Sequence, residues 1–344
     1  MSANIRETVI AWGMVPQVDI ATANVVGNLW RLNKVNATLA TMRLNTESDA
    51  EDLGKGHEFA TQLYKTSWDV NGTIEKYLSS EAATWAFIFG LGGYTESPAK
   101  TYTITPLDPV TDGIELPTFS FIEAMRQAGD AVFDRMAVGC AVEGFTVTIN
   151  SGPGRANSKI AIDFVGSGKI TEPSGLVIPE ATAEHLLPSA SVVATINGAD
   201  YVTDKNLVSL EFGWKNNLRL DSGFYPGSDF QETGVGSSGA IRGRLEYGNR
   251  EAFLRFVARF EHDSDELAQL KTQVPGTAVF SLTDTAADTF AVTFGQVTFA
   301  TAQLGDTDGI VTVAVECSPQ YETGVGVLGI VSVCTTAGIG YVTP

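Results

Sequence analysis

The chain has 344 residues, 44% of them hydrophobic and 18% charged, and its 22 Lys plus Arg against 40 Asp plus Glu give a formal charge of −18. That apolar content excludes a disordered chain, and the length carries a soft expectation of two domains, each able to bury a core. The acid excess argues against a protein that grips nucleic acid by its phosphates, which takes clustered cations. No Lys or Arg follows Lys271, whereas Asp284, Asp288, Asp306, Asp308, Glu316 and Glu322 do.

Cys140, Cys317 and Cys334 are too few and too scattered for a disulfide framework or a zinc knuckle. The N-terminus carries Arg6 and Glu7 beside a short apolar run, so no signal peptide is expected. The longest apolar stretches, Ala82–Tyr94 and Val325–Cys334, are far below the roughly 20 residues of a spanning helix. A soluble protein made in a cytoplasm is the expectation. Gly accounts for 35 residues, and short alternating runs broken by Gly, Asn, Asp and Pro predict a mainly antiparallel β protein.

In chain order, residues 1–34 carry a weak pattern and read as an arm. From Val35 the chain alternates, with Leu39, Thr41 and Arg43 on one face and Ala40, Met42 and Leu44 on the other. Residues 45–58 read as a long polar loop, and 60–75 as strand through Leu63, Trp68, Val70 and Ile74. Ser79 or Ser80 can cap a helix over 81–91, with Ala82, Trp85, Ala86 and Phe89 on one stripe and Gly92-Gly93 as its stop. Strand character follows at Lys100–Thr105, Thr118–Arg126, Ala141–Asn150 and Lys159–Val165. The Pro-bearing stretch 172–190 has the composition of a linker.

The second half runs through a strand at Leu207–Trp214, a polar Gly-rich stretch over 216–239 and a strand at Ile241–Tyr247. Asn249 can cap a helix over 250–261, with Phe253, Phe256, Val257 and Phe260 on one stripe. Strands are then predicted at Val279–Leu282, Thr289–Phe294, Val297–Ala302, Ile310–Glu316 and Gly329–Val333. A shift of about 171 residues registers the halves, placing Leu39 on Leu210, Asn45 on Asn216, Gly72 on Gly243 and Glu75 on Glu246. One slip more sets Glu81-Ala82 on Glu251-Ala252. The layout predicts a tandem duplication, with domains at 35–171 and 191–344 joined by the 172–190 linker.

Chemical motifs are thin. Gly324-x-Gly326-x-x-Gly329 matches a dinucleotide fingerprint as a string, but Ile330, Val331 and Val333 favour strand where a helix is needed. Gly166-Ser167-Gly168-Lys169 lacks phosphate-loop spacing. His occurs only at 57, 185 and 262, and Glu261-His262-Asp263 with Asp265 and Glu266 reads as a solvated helix end. Asp306-Thr307-Asp308-Gly309 reads as a turn with too few oxygens for calcium. No nucleophile elbow exists, and nothing marks a carboxylate pair among the many acids. No enzyme, cofactor or metal is expected. Trp68, Trp85, Phe87, Phe89, Phe253, Phe256 and Phe260 are assigned to core.

Several segments together carry a resemblance. The acidic loop Asp49-Ala50-Glu51-Asp52-Leu53-Gly54-Lys55-Gly56 leads into Thr66-Ser67-Trp68-Asp69-Val70-Asn71-Gly72 and the helix at Glu81. Leu116-Pro117-Thr118-Phe119-Ser120 precedes Val138–Val142, Phe145–Thr148 and Gly166-Ser167-Gly168. The second half adds Val208–Asn217 and Ser238–Gly243. Over about 35–344 this layout resembles the major tail tube proteins of long-tailed bacteriophages, in the form with a duplicated tube domain.

The resemblance implies two tandem β-sandwich or barrel domains, each flanked by one α-helix. It implies rings, here trimers with pseudo-sixfold symmetry, stacked into a tube with an acidic lumen that DNA passes without specific binding. The long loops would contact the next ring through Asp49, Glu51, Asp52, Lys55, Phe224, Tyr225 and Asp229. Partners would be further copies of the chain, the tape measure and tail-end proteins, with no membrane insertion. The protein would reside in the virion tail after assembly in the host cytoplasm. The alternatives are another virion part, such as a head decoration or baseplate protein, a glycan-binding β-sandwich, or a carboxylate-dependent hydrolase.

Overall fold

A computed structural model of the chain describes residues 8–32, 35–37, 41–48, 63–97, 100–127, 130–150, 158–173, 176–181, 183–221, 241–261, 265–284, 288–307, 309–322 and 326–334. Strands β1 (Thr8–Gly13) and β2 (Leu29–Arg31) form a hairpin. The short β3 (Val35–Ala37) and β4 (Thr41–Ser48) both pair with β5 (Leu63–Tyr77). Helix α1 (Ser80–Leu91) follows, then the hairpin β6 (Gly92–Ser97) and β7 (Thr101–Pro106), then β8 (Phe119–Gln127), β9 (Asp130–Asn150) and β10 (Lys159–Thr171). The second half contains β11 (Val193–Ile196), β12 (Ala199–Asp200), β13 (Leu207–Lys215), β14 (Glu251–Arg259) and α2 (Glu266–Thr272). It ends in β15 (Gly276–Thr283), β16 (Thr289–Thr307), β17 (Ile310–Gln320) and β18 (Leu328–Val333). All described pairings are antiparallel and join one sheet, which is not closed into a barrel among the described residues.

The pairing order repeats. In the first half it runs β2-β1-β8-β9-β10-β5-β4. In the second it runs β12-β11-β15-β16-β17-β14-β13. Irregularities coincide as well. The register slips between Phe119 and Phe121 where β8 meets β9, and between Gly276 and Ala278 where β15 meets β16. Glu143 is bulged out of the β9–β10 ladder as Ala300 is from β16–β17. Such bulges bend a strand and re-aim the residues beyond them, so a matched pair reflects matched geometry.

The offset between equivalent residues varies. It is 184 from Trp12 to Ile196, 172 from Thr41 to Gly213, 182 from Thr73 to Arg255, 157 from Cys140 to Val297 and 153 from Asp163 to Glu316. A uniform shift of 171 therefore fits only the β4–β13 neighbourhood.

Three expectations are corrected. Residues 250–261 form strand β14, not a helix. Their aromatic spacing fits a helical stripe, but Leu254, Phe256 and Ala258 also alternate inward with period two. Pairing with β13 on one side and β17 on the other decides between the two periods. Glu251-Ala252 thus matches the start of the β5-like strand and not α1; the second unit's helix is α2. Residues 241–247 make only an isolated bridge, Glu115 to Glu246, and not a strand. The described part of 1–34 is no arm: β1 is the counterpart of β11, and Trp12 and Trp30 are buried.

Helix α1 has the predicted ends. Ser79 Oγ accepts from the Ala82 amide at 3.1 Å, and Gly92 stops the helix at φ 86°. Its twelve residues are all buried, so it is a core helix rather than one flanking a sandwich. Trp85 stacks on Trp12 of β1 with centroids 3.8 Å apart and donates Nε1 to the Gly13 carbonyl at 2.9 Å. Phe87 meets Phe145 of β9 at 5.0 Å and Phe290 of β16 at 5.8 Å. The helix thus packs against both repeats at once. Two ladders also join them: β13 pairs with β9, and β18 pairs with β7.

Replacing Phe87 by Ala removes the contact shared by the two repeats and is expected to cost about 3–5 kcal/mol. Ser79→Ala is expected to cost about 1 kcal/mol through the lost cap. Urea unfolding of the two variants measures both.

Candidate functional site

The segments predicted as long loops fall at equivalent points of the sheet, between β4 and β5 and between β13 and β14; of the latter, 216–221 and 241–250 are described. The seven loop residues proposed from the sequence, Asp49, Glu51, Asp52, Lys55, Phe224, Tyr225 and Asp229, all lie outside the described residues. The roots of the second loop are described, and they sit on the first repeat. Asn216 is buried, donates to the Gly90 and Val142 carbonyls at 2.7 and 2.9 Å, and accepts from Trp214 Nε1 at 2.8 Å. The Leu218 amide donates to Glu143 at 3.2 Å; burial raises the Glu143 pKa against the lowering effect of that bond.

On the return side, Arg242 is a buried clamp. It donates to Asp69 Oδ1 at 2.5 Å, to the Leu220 carbonyl at 3.0 Å and to the Gly166 carbonyl at 3.2 Å. Leu245 and Tyr247 pack with Leu116, Ala141 and Leu218 in a small apolar cluster, and Tyr247 donates to the Gly113 carbonyl at 3.0 Å. Arg250 lies over the Tyr247 ring at 4.0 Å and donates to the Leu107 carbonyl at 2.7 Å. Sequence reading marked the loops by composition but missed Arg242, because nothing local announces a cation whose partners lie 22 to 173 residues away.

A second feature is a free edge. The N-terminal part of β9 pairs with β8, and its C-terminal part, Gly144–Asn150, pairs with β13. In β16 the counterpart of that C-terminal part is Thr301–Thr307. It pairs with β17 on one side, and no described strand covers the other. The counterpart of β13 is β3 with β4, whose far edge is likewise uncovered among the described strands. Leu304 of β16 is 54% exposed. An uncovered strand edge is a template for pairing with another chain.

The sheet face opposite α1 is polar and rich in small side chains, including Thr146, Thr148, Ala161, Ser209, Thr301 and Gln303. Lys159 is paired to Glu75 at 2.8 Å, and Arg255 to Glu316 at 3.0 Å. The sequence motifs carry no ligand geometry. Gly166–Lys169 lie inside β10, and Ile330 onward belongs to β18. Burial pushes the Cys317 thiol up to about 12 and raises Cys140 too, so both are poor nucleophiles at neutral pH.

The Asp69 carboxyl is held below its usual value. Burial opposes this, but hydrogen bonds from Asn45 and Arg242 outweigh it. A depressed folded pKa supplies stability that is fully present above the unfolded value near 3.8 and is lost as pH falls through the folded one. Arg242→Gln is expected to cost about 1–3 kcal/mol. It should also flatten the acid limb of stability below pH 4, read from urea midpoints across pH.

A family model described as phage tail tube protein matches residues 5–319. No curated protein matches the chain. The match runs from before β1 to near the end of β17, through both copies of the repeated strand order, and the chain therefore belongs to the phage tail tube protein family.

Proposed function

We propose that three copies of this chain close a ring of six tube-like units and that stacked rings form the conduit for DNA in the tail. The observation that carries this reading is the junction inside the chain. There β13, the edge strand of the second repeat, adds to the C-terminal half of β9 in the first. The same geometry applied from the first repeat to the second sets β4 of one copy on the uncovered edge of β16 in the next. A head-to-tail contact of this kind closes into a ring when its rotation divides the circle. With two near-equivalent junctions per chain, three chains supply six. The division into 35–171 and 191–344 is part of this proposal, with the first unit extended back to include β1.

In such a ring the continuous β5-β10-β9-β13-β14-β17-β16 face would line the lumen, since its other face carries the buried Val147, Ile162, Phe212, Phe256 and Val315. Its paired cations favour sliding over holding, because Lys159 and Arg255 already have carboxylate partners. Three chains carry a formal −54, which opposes phosphate capture. We propose the seven loop residues as contacts between stacked rings. The tape measure and tail-end proteins would be partners of the tube, which would assemble in the host cytoplasm.

The junction predicts register. Gly213 opposite Thr146 maps to Thr41 opposite Gln303 of the neighbouring copy. Oxidised T41C/Q303C protein is expected to give covalent oligomers ending at a trimer on a denaturing gel, with rings visible by electron microscopy. A chain that remains monomeric in both assays would refute the ring; a ladder ending at six would refute the trimer. Glu211→Lys with Glu316→Lys should slow DNA passage in ejection assays by adding phosphate contacts.

A further inference from the structure

One cluster of ligand-type side chains takes no part in the junctions above. It lies where the first turn of α1, the 172–190 connector and the β15–β16 loop meet. His185 Nδ1 is 3.0 Å from Asp288 Oδ2, 3.3 Å from Glu81 Oε1 and 4.0 Å from Asp284 Oδ2. The Glu81 and Asp288 side chains are fully buried, and Asp284 is 4% exposed. The donor atoms of His185, Asp284 and Asp288 all lie within 4.8 Å of one another. The same limit holds for Glu81, Asp288 and the buried Cys334 thiol.

We propose that this cluster is a structural site for one divalent transition-metal ion, with zinc the best fit. A tetrahedral ion with donors at about 2.1 Å holds them about 3.4 Å apart; His185 Nδ1 stands 3.0–4.0 Å from its three carboxylate neighbours, and the donor atoms fall in two overlapping triads that share Asp288. An imidazole nitrogen among carboxylates favours zinc or manganese over calcium or magnesium, which take oxygen ligands.

The donors are oriented from behind, as metal ligands are. The His185 amide donates to both Glu81 oxygens at 3.1 and 3.2 Å. Ser80 Oγ donates to Asp288 at 2.9 Å, and the Asp288 amide to Asp284 at 2.8 Å. A bound ion would tie the connector and the β15–β16 loop to α1, and so tie one repeat to the other.

The test uses the full-length protein, stripped with EDTA, dialysed, and returned separately to zinc, manganese, calcium and magnesium. The expected result is about one zinc per chain by elemental analysis after dialysis, and a thermal midpoint that rises with free zinc. Asp284→Asn, at the outermost donor, should weaken zinc binding at least tenfold while leaving the metal-free midpoint close to that of the parent. His185→Gln should do the same. Zinc far below one per chain with a midpoint indifferent to all four ions would overturn the proposal. Equal zinc binding by parent and variants would overturn it by placing the ion elsewhere.

Discussion

The complete burial of α1 is the constraint on which the architecture turns. A helix buried on every side has no face for water, so it must be enclosed, and one β-sheet can cover only one side. Here the first repeat supplies Trp12 and Phe145, and the second supplies Phe290. Neither half encloses the helix alone. The two ladders between the repeats, β9 with β13 and β7 with β18, follow from the need to hold both coverings in place.

Burying a helix end also imposes a polar demand, because its first amides lack intrahelical partners. Ser79 caps one of them, and the surrounding Lys76, Glu81, Glu184, His185 and Asp288 form a bonded network. Burial lowers the Lys76 pKa, while Glu184 and Glu81 act to raise it. The polar cluster is therefore a consequence of where α1 sits, and it draws the connector and the β15–β16 loop to the same point.

Membership of the phage tail tube family and the repeated strand order bear on each other. A structural tail protein has no need of a reactive centre. What it needs is a surface that meets copies of itself. Within the chain, the second repeat docks on the first by strand addition and through the Arg242 and Tyr247 contacts. Among the described strands, the uncovered edges of β4 and β16 are the places where the pattern stops within a single chain.

The amino-acid sequence by itself determined the β-rich class, the acidity, the capped helix from Ser79 to Gly92 and a repeated layout of elements, because these rest on composition and on local spacing. It misassigned 250–261 because Phe253, Phe256, Val257 and Phe260 fit a helical period while Leu254, Phe256 and Ala258 fit a strand period, and only neighbours on either side select one. It missed β1 because the inward run around Trp12 needs β8 and α1 to complete it. A single shift of 171 blurred a repeat whose offsets range from 153 to 184, since insertions fall between the paired strands. Arg242, the free edge of β16 and the His185 cluster were decided by tertiary structure alone. Each depends on residues far apart in the chain, which no window of sequence brings together.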